Sequence, residues 1–190
     1  NDNGPNSWRW NGGMKGRKGS TDEGGVRTPL FMRWPGQIPA GHRVEEITSV
    51  IDLYPTLCEM AGVTPLHTRP LDGISLVPLL MEEDPQWEER YIFNKWREQV
   101  SVRSQRYRLG HQGALYDMVE DPGQEVDVAA AYPEIHRELS EARKSFMEEV
   151  ISELPETDPR PFPIGHPSAT YTQLPARDGT AHGNIQRSNK

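Results

Sequence analysis

Residues 132–154, YPEIHRELSEARKSFMEEVISEL, set the strongest constraint on the fold. Ile135, Leu139, Ala142, Phe146, Val150 and Leu154 recur at the 3.6-residue period, and charged residues fill the rest of each turn. The segment is therefore predicted as an amphipathic helix with one apolar stripe. A single stripe must be covered by another layer, and the preceding residues offer one. YIFN (91–94), QVSVRS (99–104), RYRLG (106–110) and ALYDM (114–118) are short, close together and rich in aromatic or β-branched residues. They read as an antiparallel meander, and EDPG (120–123) as a turn. Residues 85–154 are thus expected to form a small antiparallel sheet packed by one long helix.

The pattern differs before Asp84-Pro85. Residues 1–28 read as loop, with glycines at 4, 12, 13, 16, 19, 24 and 25. PLFMRWPG (29–36) reads as a short buried strand ended by Pro-Gly. ITSVIDLYPTLCEMAG (47–62) reads as a helix that Gly62 stops, with Asp52 capping its first full turn. LDGISLVPLLM (71–81) reads as a turn and a short apolar helix. After residue 154 the composition changes again. Six prolines between 155 and 175 exclude helix and central strand. Residues 155–190 are expected to be a Pro-rich tail that wraps the body or stays loose. The only cysteine, Cys58, leaves no internal disulfide, and its apolar helical setting reads as packing rather than nucleophilic chemistry. No run of 18 apolar residues is present, so no membrane-spanning helix is expected.

The net charge of -7 conceals an asymmetry. Residues 1–43 carry seven Lys/Arg against three Asp/Glu, a balance of +4, and the remainder fourteen against twenty-five, a balance of -11. The Gly-rich opening is the part that attracts an anion. The patch is short and the rest is acidic, which argues against nucleic acid as the partner. Asp2 and Asn3 together offer hard oxygen ligands of the kind that suit Ca²⁺ or Mg²⁺, although Asn-Asp-Asn-Gly is also an ordinary turn. Gly4 would let the backbone turn sharply behind them. Lys18 is flanked by Gly16 and Gly19, so backbone and ammonium can both approach anionic oxygens. A phosphate-binding Walker loop is excluded, because the glycine spacing and the Gly-Lys-Ser/Thr order are missing. Glu23, before Gly24-Gly25, reads as structural, pairing with Arg27 or capping local amides. Trp8, Arg9 and Trp10 could meet a sugar ring, and a packed Trp pair is the plainer reading. His166 and His182 sit in the tail and read as solvent-exposed.

Asp2-Asn3-Gly4, the GRKG around Lys18, EGGVRTPLFMRWPGQI, DLYPTLCEMAG and LDGISLVPLL follow one another in this order. So do YRL, LYDMVEDPGQEVDVAA and PEIHREL. This succession resembles the C-terminal half of a type I sulfatase of the alkaline phosphatase superfamily, over roughly residues 1–150. The resemblance implies an α/β fold. Residues 1–84 would be the C-terminal part of the catalytic α/β sandwich, and residues 85–154 the small subdomain. It implies that Asp2 and Asn3 are the last two protein ligands of a Ca²⁺ ion, with Mg²⁺ as the alternative. It implies that Lys18 contacts the sulfate ester and stabilises the leaving oxygen. The family's nucleophile is a formylglycine made in a Cys/Ser-x-Pro-x-Arg motif, which these 190 residues do not contain. The chain is thus expected to require an N-terminal half of the same enzyme. Its substrate would be a sulfate ester, on a carbohydrate, in the periplasm or outside the cell. A phosphoester or phosphonate hydrolase of the same superfamily is the nearest alternative. Those commonly place His where Asn3 stands. A non-catalytic binding module is the second alternative.

Overall fold

The computed structural model describes residues 3–65, 70–82 and 85–153, with 168, 170 and 183. The chain divides into two compact units, Asn1–Glu153 and Leu154–Lys190. Asp2, His67, Leu154, His166 and His182 lie outside the described residues.

The strands β1 (Ile92–Trp96), β2 (Gln99–Arg103), β3 (Tyr107–Leu109) and β4 (Leu115–Asp117) form one antiparallel sheet in sequential order. The meander read from the sequence is thus present. Trp96 pairs with Gln99 across a two-residue turn, in which Arg97 takes the left-handed φ of 52°. That backbone twist matches the twist of the two strands. Register then decides which side chains share a face. Phe93 lies opposite Val102, Val102 opposite Leu109, and Leu109 opposite Leu115. These four point to the same side, because side chains alternate along a strand.

The long helix α4 (Pro133–Glu149) covers that side and continues as a short 3-10 turn over Ile151–Glu153. Pro133 sits in the first turn, where its missing N–H costs nothing. Val102, Leu109, Leu115 and Leu139 form the closed core, with Ile135 beside it. Phe93 stacks on Phe146, with ring centroids 4.4 Å apart and planes 2° from parallel. At about 25 cal/mol per Å², fully burying one such Leu contributes roughly 1.5–3 kcal/mol. The far end of the stripe is less well covered, and Val150 is exposed.

The sheet is buried on its other side too. Asn94, Ser101, Arg103, Arg108 and Tyr116 share that face by register, and Ser101 and Arg108 are inaccessible to solvent. The cover there is the Gly-rich loop around residues 15–26, which ends in the short helix α1 (Glu23–Val26).

Residues 26–82 depart from expectation in three ways. PLFMRWPG is not a buried strand. Residues 29–34 belong to no sheet, and Leu30 and Phe31 are exposed. A strand needs a neighbour to exchange ladder hydrogen bonds, and the four strands of the described residues all begin at Ile92 or later. The helix expected over 47–62 starts late, as a 3-10 turn (Val50–Asp52) followed by α2 (Leu53–Met60). Asp52 therefore caps from inside. Asp52 is the N-cap residue of α2 but makes no side-chain cap bond there; its carboxylate accepts the Ser49 N–H at 2.7 Å in a reciprocal capping box on the 3-10 turn. Gly62 ends the helix as expected, with φ 65°. Gly62 N–H reaches Glu59 C=O and Val63 N–H reaches Cys58 C=O, both at 2.9 Å, the pair of bonds of a Schellman close.

The third departure is burial. The apolar face of this helix is open: Val50, Ile51, Tyr54 and Leu57 are all exposed, and Cys58 is half-buried. What the helix buries is polar, namely Asp52 and Thr56. Asp52 also accepts from the Ile74 N–H and the Arg90 guanidinium, and Thr56 accepts the Leu76 N–H. These bonds tie α2 to the turn before helix α3 (Val77–Met81). Leu76, Leu79 and Leu80 centre a second, smaller core there, packed by Met32, Ile38 and Met60.

Candidate functional site

The loop that carries Lys18 is shaped by close backbone approaches that only glycine permits. Gly16 adopts φ 82°, and a Cβ there would lie 2.3 Å from Ser20 Oγ. Gly4 is needed for proximity, since a Cβ on it would fall 1.8 Å from the Gly24 carbonyl oxygen. The chain bends at Asn3 and Gly4 as expected, and the close contact is a second reason for glycine there. Gly4 N–H donates to Gly25 C=O at 2.9 Å, and Lys18 N–H donates to Pro5 C=O at 3.0 Å. Asn11 fastens the interior of the loop, its amide nitrogen donating to the Met14 and Gly16 carbonyls.

The backbone at Lys18 is thereby tied to Pro5, two residues after Asn3. Lys18 is exposed and Asn3 is partly exposed. Asp2, the other expected metal ligand, lies outside the described residues. The donor chemistry of Asp2 and Asn3 suits a hard divalent cation, but two residues fall short of the six to eight oxygens that Ca²⁺ takes. Among the described residues no group of three or more His, Cys, Asp or Glu is placed to hold a metal.

The loop is gripped from the sheet side. Glu23 is buried, and its carboxylate accepts from Arg108 Nη2 at 2.7 Å, with Arg103 Nε at 3.6 Å and Arg27 at 3.5 Å. The structural role read for Glu23 and its pairing with Arg27 are both present. Arg108, 85 residues away, is the closer partner. Arg108 Nη1 also donates to Thr21 C=O at 2.9 Å, and Ser101 Oγ donates to the same carbonyl at 2.8 Å. Glu23 N–H is received by Gln124 Oε1 at 2.8 Å. Lys15 Nζ donates to Tyr116 Oη at 3.0 Å. Two of these groups carry displaced pKa values. Burial pulls the Arg103 guanidinium down to about 10, the Glu23 carboxylate opposing this and the Arg108 cation adding to it. The bond to Tyr116 raises Lys15. Arg108, Gln124 and Ser101 are the residues that sequence reasoning missed. Arg108 in an alternating strand looks like an outward charge, and nothing local marks it as inward.

Trp8 and Trp10 do not form a packed pair, being 83% and 89% exposed. The Arg17 guanidinium lies 4.5 Å from the Trp8 ring centroid. Pro5, Trp8, Arg9, Lys15 and Arg17 line an open groove of about 320 Å³.

The backbone is similar to solved structures. The crystal structure of Ps i-CgsB matches with a TM-score of 0.61 and 26% identity, over 70% of this chain and 31% of that one. BT4656, solved in complex with its substrate D-glucosamine-2-N,6-O-disulfate, matches with a TM-score of 0.52 and 25% identity over 72% and 31%. In sequence, the steryl-sulfatase of Rattus norvegicus is 42% identical over 94 residues, 48% of this chain and 16% of that protein. The arylsulfatase A of Homo sapiens is 33% identical over 180 residues, 74% of this chain and 35% of that protein. The fold is that of sulfatases, an α/β fold with a small antiparallel sheet and a long C-terminal helix. The chain belongs to the family described as N-sulphoglucosamine sulphohydrolase, C-terminal, whose profile matches residues 18–151. It spans at most about a third of the length of these relatives.

Proposed function

We propose that this chain forms the leaving-group side of a sulfatase active site that hydrolyses sulfate esters of a carbohydrate. On this reading Lys18 holds its ammonium against the ester oxygen and stabilises the charge that develops there as the S–O bond breaks. Asp2 and Asn3 supply part of the ligand set of a Ca²⁺ ion, or of Mg²⁺. When bound, the cation would offset negative charge on the sulfuryl oxygens. The nucleophile, a formylglycine, comes from outside these 190 residues, in an N-terminal half that the chain requires. Residues 1–84 belong to the catalytic domain and 85–154 to the small C-terminal subdomain. The setting is periplasmic or secreted.

The observation that carries the reading is the pair of backbone bonds, Lys18 N–H to Pro5 C=O and Gly4 N–H to Gly25 C=O, that ties the Lys18 loop to the segment directly after Asn3. Membership of the sulfatase family supports the reaction class. The carbohydrate is supported by BT4656, whose bound substrate is a sulfated glucosamine. The steryl-sulfatase likeness points to a different alcohol. The exposed Trp8 and Trp10 favour a sugar face. In the catalytically complete enzyme, Lys18→Ala is expected to lower kcat on a sulfate ester by roughly 10²–10³-fold. An unchanged kcat would sink the reading.

A further inference from the structure

The second face of the sheet does more than close a core. A buried ion pair seldom adds stability over an apolar pair of the same shape, so Glu23 and Arg108 invite another explanation. Arg108 is 2% exposed and spends both terminal nitrogens on the Lys18 loop. Nη2 goes to the Glu23 carboxylate, and Nη1 to the Thr21 carbonyl and to Ser101 Oγ at 3.1 Å. A planar fork that holds two points of one loop fixes its orientation as well as its position. Thr21 and Glu23 stand three and five residues after Lys18.

Gln124 gives a second, independent indication. It is buried, and it adopts φ 57°, a left-handed conformation that suits Gly or Asn better than Gln. The strained backbone delivers Oε1 to the Glu23 N–H at 2.8 Å, a reach that Gly and Asn do not have. Strain of this kind persists where the surroundings fix a residue for a purpose. Lys18 is exposed, and its backbone N–H donates to Pro5 C=O at 3.0 Å. The loop backbone thus carries its side chain.

We infer that Arg108 and Gln124 are positioning residues for Lys18, and that the β2–β4 sheet is the template on which the leaving-group side of the active site is set. This rests on the proposed role of Lys18. Neither residue touches substrate on this reading. They act through Thr21 and Glu23.

The test uses the catalytically complete enzyme with Gln124→Asn, Arg108→Lys and Lys18→Ala. Asn keeps the left-handed backbone but is too short to reach the Glu23 N–H. Lys keeps the charge of Arg108 but loses the fork. Hydrogen exchange of residues 18–25 would be followed against β2 and β3 as an internal control, with kinetics on aryl sulfates of graded leaving-group pKa. For Gln124→Asn we expect loop amides to exchange roughly tenfold faster with sheet amides unchanged. We expect kcat to fall by about tenfold or more, since small misplacements at a reacting centre are expensive. The fall should be steeper for poorer leaving groups, and Arg108→Lys should behave alike. A merely structural role would lower the Tm and leave the leaving-group dependence of the folded enzyme unchanged, which would overturn the inference. So would unchanged loop exchange in both variants. If Lys18→Ala leaves hydrolysis unchanged, the sulfatase role of Lys18 falls instead, and the exchange data alone decide whether Arg108 and Gln124 hold the loop.

Discussion

Helices α2 and α4 carry the same kind of sequence signal and have opposite fates. Each has apolar residues at the helical period. On α4, Leu139 is 1% exposed, pressed into Val102, Leu109 and Leu115. On α2, Leu57 is 56% exposed, and the neighbouring Tyr54 and Ile51 are also open. The difference lies in what each helix meets. The meander precedes α4 in the chain and supplies the apolar sheet face on which it packs. The segment before α2, residues 29–46, forms no sheet among the described residues, so the residues that α2 and its leading turn bury are the polar Asp52 and Thr56. Periodicity declares that a face needs covering, and it does not say by what.

The largest expected effect tests the covered side of this contrast. Glu23→Gln would leave the Arg108 and Arg103 cations without their carboxylate in a buried site. A loss of about 3–5 kcal/mol is expected for breaking a pair of this kind. A urea titration followed by far-UV circular dichroism reads it. A loss below about 1 kcal/mol would mean that the second sheet face is wetter than the structure shows.

Next comes a direct comparison of the two helices. Leu139→Ala should destabilise by roughly 2–5 kcal/mol. Leu57→Ala should stay within about 0.5 kcal/mol of the parent in the 190-residue chain. Equal losses would break the contrast and show that α2 is covered in solution. A Leu57 effect that appears only beside the nucleophile-bearing half would sharpen it, by naming what covers α2.

Acid should loosen the connection between β4 and α4. Asp127 accepts the Leu115 and Ala129 N–H groups, and these bonds hold its carboxyl below the usual 3.8. Burial alone would raise Asp117. The Arg106 guanidinium and the Val119 and Glu120 N–H groups outweigh it and bring that carboxyl below 3.8 as well. Because both folded-state values are depressed, their stabilisation is complete above the unfolded-state value. It is lost as pH falls below 3.8 through the folded-state values. Amides 115–129 should lose protection there, and Asp127→Asn should flatten the pH dependence. An unchanged acid profile would count against these bonds.

Much of the fold was legible because its signals are local. The alternation in QVSVR and YRL, the stripe of α4 and the Gly62 stop all act within a turn or a hairpin, where spacing alone dictates geometry. The strand expected at residues 29–36 failed for the complementary reason, since a strand exists only with a neighbour. The candidate site was legible as residue types only. Lys18 between its glycines, and Asn3 beside Asp2, stood out by residue type. The bonds that tie the Lys18 loop to residues 4 and 5 depend on Gly4 fitting against Gly24.

The sequence by itself determined the element types after residue 90, the turn chemistry and the family. Tertiary structure alone decided that Arg108 points inward to Glu23 across 85 residues, and that Arg90 reaches Asp52 across 38. An arginine in a strand is written identically whether it faces water or a buried carboxylate. The choice is made by which layer comes to rest on that face, and desolvation then makes the pairing obligatory.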